Sequence, residues 1–367
     1  MSNDRSLREA LHRCLSADLT FAAFRRPGAP VSIWAQRTPD METVDGSLLW
    51  ELNDIFLLAP FTLKDDRVAM IRSDVDLSFG ELGSDILPLY ECVGSKVDHA
   101  DLPLTTDEAS YKRSVELAKE AITRGHLHKV VLSRTIRVGL EHDALMELFM
   151  DALIERPDAF VTLMHTPDHG TWLGASPERL VFEEEDLVRV DALAGTMPSN
   201  DAPDEPRQWG EKERNEQDLV ATSVLRTFED LGLKSIVSRG PEVMRAGEVA
   251  HLRTSIEADL GERTLSDLVL ALHPTPAICG TPKPAAQSFI AEYEAHDRQL
   301  YAGFWGPWSP DGHTELFVNI RCLQALRGEA VLYVGAGITE GSDPDLEWKE
   351  TEQKARTWLR PIVALKK

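Results

Sequence analysis

The sequence predicts an α+β protein built on antiparallel sheets, and three observations carry that prediction. Strand-like runs alternate apolar with polar or charged positions, as a sheet with one solvated or helix-covered face requires. Several of these runs follow one another through short turns, and between them stand stretches of helical spacing with recognisable start and stop residues.

Residues 1 to about 100 read as a short amphipathic helix followed by strand-like pieces, VSIWAQ, DIFLLAPF and VAMIRS, separated by Pro, Gly and Asp turn signals. They carry no recognisable chemistry. From Thr105 the signals sharpen: TTDEASYKRSVELAKEAITRG offers an N-cap threonine, Val115, Ala118, Ala121 and Ile122 at helical spacing, and Gly125 as the stop. KVVLSRTIRV then predicts a strand with Val130, Leu132, Ile136 and Val138 on one face, Val131, Ser133 and Thr135 on the other, and Lys129 at its start. Further strands are predicted at AFVTLMHT, TWLGAS, LVFEEE, LVRVDALAG, TELFVNIRCLQAL and EAVLYVGAG, and further helices at 209–231, 264–272, 284–300 and 343–359. PSNDAPDEPR, around 198–208, has the composition of an exposed connection. There is no internal repeat.

The chain has 367 residues, 43% hydrophobic and 27% charged, which is the mix of a globular protein of one large or two ordinary domains. A formal charge of −22 repels phosphate backbones and anionic lipid, so no nucleic-acid partner and no membrane partner is expected. The cations are 12 Lys against 27 Arg, and an acidic, lysine-poor surface suggests a high-salt habitat. Cys14, Cys92, Cys279 and Cys322 lie far apart without ligand spacing, which indicates neither zinc nor a disulfide framework and fits a reducing cytoplasm. The N-terminus has no signal-peptide core and no run approaches ~18 apolar residues, so neither export nor a membrane span is expected.

Four features could carry chemistry. The helix opened by Asp343 and Pro344 sends Glu347, Glu350 and Lys354 from one face. The helix beginning WGEKERNEQ does the same with Glu213 and Glu216. Two carboxylates from each of two helices suit a hard cation such as Mg²⁺. On spacing alone, solvated surface is the leading reading of both faces. Gly335, Ala336 and Gly337 form a turn that either aims backbone N–H groups at an anion or makes a bulge, and Arg321 is either a carboxylate clamp or an edge-strand charge.

The combination in order decides between these alternatives. SPERL at 176–180, ALAGT at 192–196, EKERNEQDLV at 211–220, HPTPAICGTPK at 273–283, DRQLYAGFWG at 297–306, NIRC at 319–322, GAGI at 335–338 and EWKETEQKA at 347–355 together resemble the chorismate-utilising enzymes over about 105–362. Within the family the chain is most similar to the isochorismate synthases. The resemblance implies a single domain in which two antiparallel sheets pack face to face under covering helices. Residues 105–367 would form the chorismate-binding region, and 1–104 a divergent part of the same domain.

By the same resemblance Lys129 matches the general base that activates water for attack at C2 of chorismate, and Glu178 the general acid that protonates the departing C4 hydroxyl. For work at neutral pH both must shift toward neutrality, Lys129 downward and Glu178 upward, and burial does both. Glu216 and Glu350 match the Mg²⁺ ligands that hold the ring carboxylate, with Glu213 and Glu347 nearby. Tyr301, Arg321 and the Gly335 backbone match groups that bind the enolpyruvyl carboxylate. Gly195 and Thr196 line the ring, and Lys354 and His251 sit near the metal-held carboxylate and the ring.

Two positions discriminate among the family's reactions. Ala194 stands where aminodeoxychorismate synthases carry a nucleophilic lysine, and Ala277 where anthranilate and salicylate synthases carry a threonine that assists pyruvate loss. The expectation is a monomeric, Mg²⁺-dependent isomerase acting on chorismate and serving menaquinone or siderophore synthesis. The neighbouring readings are a salicylate synthase and a relative that binds without turnover.

Overall fold

The computed structural model describes residues 2–80, 83–95, 102–185, 187–246, 249–310, 313–326 and 328–366. They form two nine-stranded sheets. Every pairing in them is antiparallel. The first sheet runs, in spatial order, Gly280–Thr281, Lys129–Gly139, Glu329–Ile338, Cys322–Leu326, Gly170–Ser176, Phe160–Thr166, Phe21–Arg25, Val31–Ala35 and Val75–Phe79. The second runs Lys234–Ala246, Val249–Asp259, Leu187–Pro198, Arg179–Glu184, His313–Val318, Phe304–Trp308, Ile55–Ala59, Arg67–Arg72 and Glu42–Asp45. Strands from the first hundred residues thus close one end of each sheet.

The sheets face each other across a shared core, and helices cover the outer faces. Ser2–Ser16 and Ala144–Glu155 pack on the first sheet through Leu11, Cys14, Leu145 and Phe149 against Phe21, Ile33, Val161 and Leu173. Glu108–Thr123, Lys283–Tyr293 and Pro344–Leu365 cover the rest of that sheet, and Glu211–Leu231 and Leu265–Leu272 lie on the second. At the end built partly from N-terminal strands, the inter-sheet space is filled with rings. Phe160 stacks on Phe317 at 4.2 Å between centroids, and Phe24 lies 5.2 Å from Phe56. Among the described residues no helix is long and apolar enough to cross a membrane.

Several boundaries differ from the sequence reading for local reasons. The run TELFVNIRCLQAL, read as one strand, is two: His313–Val318 belongs to the second sheet and Cys322–Leu326 to the first, with Arg321 between them in the left-handed region at φ 51°. The helix expected over 284–300 stops at Tyr293, where Glu294 turns extended and its carboxylate accepts from the Ser133 backbone N–H at 2.6 Å and from Arg298 at 2.6 Å. The cap of Glu108–Thr123 is Asp107, which accepts from the Ser110 N–H, rather than a threonine. The last helix runs on to Leu365, through Pro361. Ala144–Glu155, Phe21–Arg25, Lys234–Ala246 and Val249–Asp259 were not foreseen.

Candidate active site

Away from the stacked rings, the inter-sheet space is lined by charge. Lys129 opens its strand and is paired from the sheet edge by Thr281, so its side chain is held inward; it is 1% exposed, with Nζ 2.8 Å from Glu216 Oε1. Glu216 reaches in from helix Glu211–Leu231, on the opposite sheet. The pair fits because the neighbouring strand has a glycine: a Cβ on Gly337 would lie 2.5 Å from Glu216 Oε1 and 3.1 Å from Lys129 Cε. The Lys129 ammonium holds the Glu216 carboxyl below its ordinary range even though burial acts to raise it.

Glu178 sits where the chain leaves the first sheet at Ser176 and enters the second at Arg179. Its N–H donates to Ser176 Oγ at 3.2 Å, and its carbonyl accepts from the Val318 N–H at 3.0 Å. Burial raises its carboxyl to about 7, against the opposing pull of Lys129, Lys354 and Arg321. The second crossing between the sheets holds Arg321, whose carbonyl accepts from the Ala175 N–H at 3.1 Å and from Trp358 Nε1 at 2.7 Å. Burial lowers the Arg321 value, with Glu350 opposing.

Thr196 and His251 face each other across strands Leu187–Pro198 and Val249–Asp259, with Thr196 Oγ1 and His251 Nδ1 3.0 Å apart. Burial, helped by Arg321 and Lys354, pushes His251 down to about 3, so the ring is neutral at ordinary pH; Nε2 is buried without a hydrogen-bond partner. Gly195 forms the bulge beside them at φ +65°, and a Cβ there would meet the Glu213 carbonyl oxygen at 2.7 Å. On the other wall Lys354 Nζ is 2.8 Å from the Gly335 carbonyl and 2.6 Å from Glu350 Oε1. Tyr301 stacks on Tyr333 at 5.6 Å, and its hydroxyl lies beside Gly335, 2.8 Å from where a Cβ would stand.

One cavity is bordered by Glu178, Thr196, Glu216, His251, Ala277, Tyr301, Arg321, Gly335, Glu350 and Lys354. The structure therefore gathers ten of the proposed site residues around one space. Lys129 touches it through Glu216, and Gly195 supports it from behind. Glu347 and Glu213 stand back. The former is 1% exposed and accepts from Lys212 Nζ at 2.7 Å, and burial and then Glu350 raise its carboxyl; the latter folds toward Gly210 at the helix start. Sequence reasoning missed Lys212, and it read Gly337 with Gly335 as a turn or bulge, whereas both lie inside the regularly paired strand Glu329–Ile338. Lys212 stands one residue before Glu213, and a glycine inside a strand, as Gly337 is, signals close approach of another group.

Three carboxylates at or beside the cavity are thus each held by one lysine: Glu216 by Lys129, Glu350 by Lys354 and Glu347 by Lys212. Among the described residues no three His, Cys, Asp or Glu side chains stand close enough together to grip an ion as they are. The donor chemistry nevertheless fits a hard divalent cation, which takes a few carboxylates and completes its shell with water and a ligand oxygen.

Residues 93–363 match the family model described as chorismate binding enzyme. The chain belongs to the chorismate-binding enzyme family. Isochorismate synthase DhbC of Bacillus subtilis is 34% identical over 268 residues, covering 69% of this chain and 67% of that protein. Isochorismate synthase MenF of Escherichia coli is 31% identical over 308 residues, covering 78% of this chain and 70% of that protein. The solved structure of the menaquinone-specific Escherichia coli MenF superposes with a TM-score of 0.76 at 24% identity, over 96% of this chain and 91% of that one. Anthranilate synthase component I of Streptococcus pneumoniae gives 0.68 at 19%, over 92% and 90%. The sandwich is therefore the family's fold, including the part contributed by the first hundred residues.

Proposed function

We propose that this chorismate-binding enzyme converts chorismate to isochorismate. The observation that carries the reading is a buried carboxyl, Glu178, on the wall of a cavity whose wall also holds Glu216, itself ion-paired at 2.8 Å to the buried Lys129 behind it; burial raises the Glu178 carboxyl to about 7. In the reacting form Lys129 is the free amine rather than the ammonium paired with Glu216: water attacks C2 and gives its proton to that amine, the ring double bonds shift, and the C4 hydroxyl departs with the proton of Glu178. Without that proton the leaving group is hydroxide, and without the base the nucleophile is neutral water. Arg321 and the Tyr301 hydroxyl receive the enolpyruvyl carboxylate, and neutral His251 offers Nε2 to the ring side.

Glu216 and Glu350 would hold Mg²⁺, with Glu347 and Glu213 behind them. The ion when bound supplies positive charge to the substrate's ring carboxylate. Ala277 beside Ile278 and Ala194 beside Thr196 present no hydroxyl or amine to the ring, which favours isochorismate as the end product over salicylate or an amino-substituted ring. Chromatography after incubation with chorismate, with Mg²⁺ and with EDTA, tests the reading. Isochorismate without pyruvate, lost in EDTA and regained with Mg²⁺, is expected. Salicylate plus pyruvate, or full turnover in metal-free buffer, would overturn the product or the metal assignment respectively.

A further inference from the structure

Outside the active-site cavity, and sharing Arg321 with it, lies an open groove of about 830 Å³. One wall is the outer half of helix Pro344–Leu365, where Gln353, Arg356, Thr357 and Arg360 fall at i, i+3, i+4 and i+7 and so share a face. The other wall carries Arg156, the C-cap of helix Ala144–Glu155, with Asp151 and Glu155 from that helix. Arg321 and Arg156 meet on a single residue: Arg321 Nη1 is 3.4 Å from Thr357 Oγ1, and Arg156 Nη2 donates to the Thr357 carbonyl at 2.9 Å. The guanidinium series therefore runs from the exposed Arg356 and Arg360, past Arg156, to Arg321 at the cavity. Four arginines against two carboxylates give the groove a positive balance in a chain of net −22.

We propose that this groove is the mouth through which a small dicarboxylate reaches the active site, and that Arg356 and Arg360 are its capture residues. The inference rests on the reading above, in which the substrate is a dianion. The physical need is plain: a dianion approaching a strongly acidic protein is repelled on average, and a concave, low-dielectric strip of one sign of charge reverses that locally and raises the encounter rate. Neither Arg356 nor Arg360 borders the cavity, so neither takes part in the chemistry.

The test compares R356Q/R360Q with a control, R5Q/R124Q, which removes the same charge from exposed helix positions elsewhere. At low ionic strength and fixed Mg²⁺, kcat/KM of R356Q/R360Q is expected to fall about five- to tenfold relative to the wild type with kcat unchanged, and the ratio to close toward one as salt shortens the Debye length to a few Å. The control pair is expected to stay within about twofold. A salt-independent ratio, or an equal loss in the control, overturns the proposal. Calorimetric titration with chorismate over the same salt series separates it from the activity assignment. Salt-sensitive binding that needs the two arginines, with no isochorismate formed, keeps the groove and overturns the activity. Isochorismate formed with equal salt dependence in all three proteins does the reverse, and no binding at all overturns both.

Discussion

The two ends of the inter-sheet space are made from the same kinds of strand and filled in opposite ways. At one end Phe24, Phe56, Phe160 and Phe317 pack ring to ring, so every contact there is dispersion and excluded water. At the other, Lys129, Glu216, Glu350, Lys354 and Arg321 are brought under cover, where each charge needs a partner at a net cost to stability. A sandwich that stacks aromatics at one end can carry ionised groups at the other. Stability and chemistry are divided along the length of one core.

That division can be broken from either side. Lys129→Ala and Glu178→Gln should each lower kcat by ~10²–10⁴ with the fold retained by circular dichroism. In kcat/KM the wild type should lose activity above about pH 7 as Glu178 ionises, and Glu178→Gln should remove that limb; a limb that survives would reassign the acid. Stability should move as well. Because the folded value lies above the ordinary 4.5, the folded protein holds a proton between pH 4.5 and about 7 that the unfolded chain has released. The resulting stabilisation is complete below pH 4.5 and gone above about 7, so Glu178→Gln should gain about 3 kcal/mol on the wild type between pH 4.5 and 8 in denaturant titrations.

From the dry end, Phe160→Ala should cost about 3–5 kcal/mol of unfolding free energy, read in urea, while kcat at low temperature stays near the wild type. A large fall in kcat there would mean the two ends are not independent. Lys212→Met tests the charged end itself: it leaves Glu347 buried beside Glu350 without its cation and should cost about 1–3 kcal/mol in EDTA. Added Mg²⁺ should restore more melting temperature to this variant than to the wild type. The smallest effect is expected at Ala277. Ala277→Thr adds a methyl and a hydroxyl beside Ile278, costs about 1–2 kcal/mol of overpacking, and should raise pyruvate from a trace to a measurable side product in a lactate dehydrogenase-coupled assay.

What the sequence made legible follows the same division. Helix Pro344–Leu365 was readable because Asp343 accepts from the Asp345 and Leu346 N–H groups and Pro344 sits at the first turn, both local signals. Helix Ala144–Glu155 was not, since ALMELFMDALIE is apolar around most of its circumference and has no side-chain cap. The edge strand Lys234–Ala246 mixes Arg, Glu, Gly and Pro and takes its place in the sheet from pairing with Val249–Asp259, rather than from any local signal. Of the site, the residue types were legible through ordered blocks, but Lys212 as the counter-ion of Glu347 depends on two helices 135 positions apart in sequence. The break at Arg321 escaped notice because TELFVNIRCLQAL keeps strand-like composition across a change of sheet.

The two crossings between sheets are also bonded to each other: Ser176 Oγ donates to the Val318 carbonyl at 2.6 Å, Val318 N–H to the Glu178 carbonyl, and Ala175 N–H to the Arg321 carbonyl. Glu178 and Arg321 therefore occupy a seam that ties the halves of the sandwich together. Any excursion that parts the sheets must tear this seam, and any tear displaces both residues at once. Their amides should be among the last to open in hydrogen exchange, and activity on heating should be lost in the same transition as the fold.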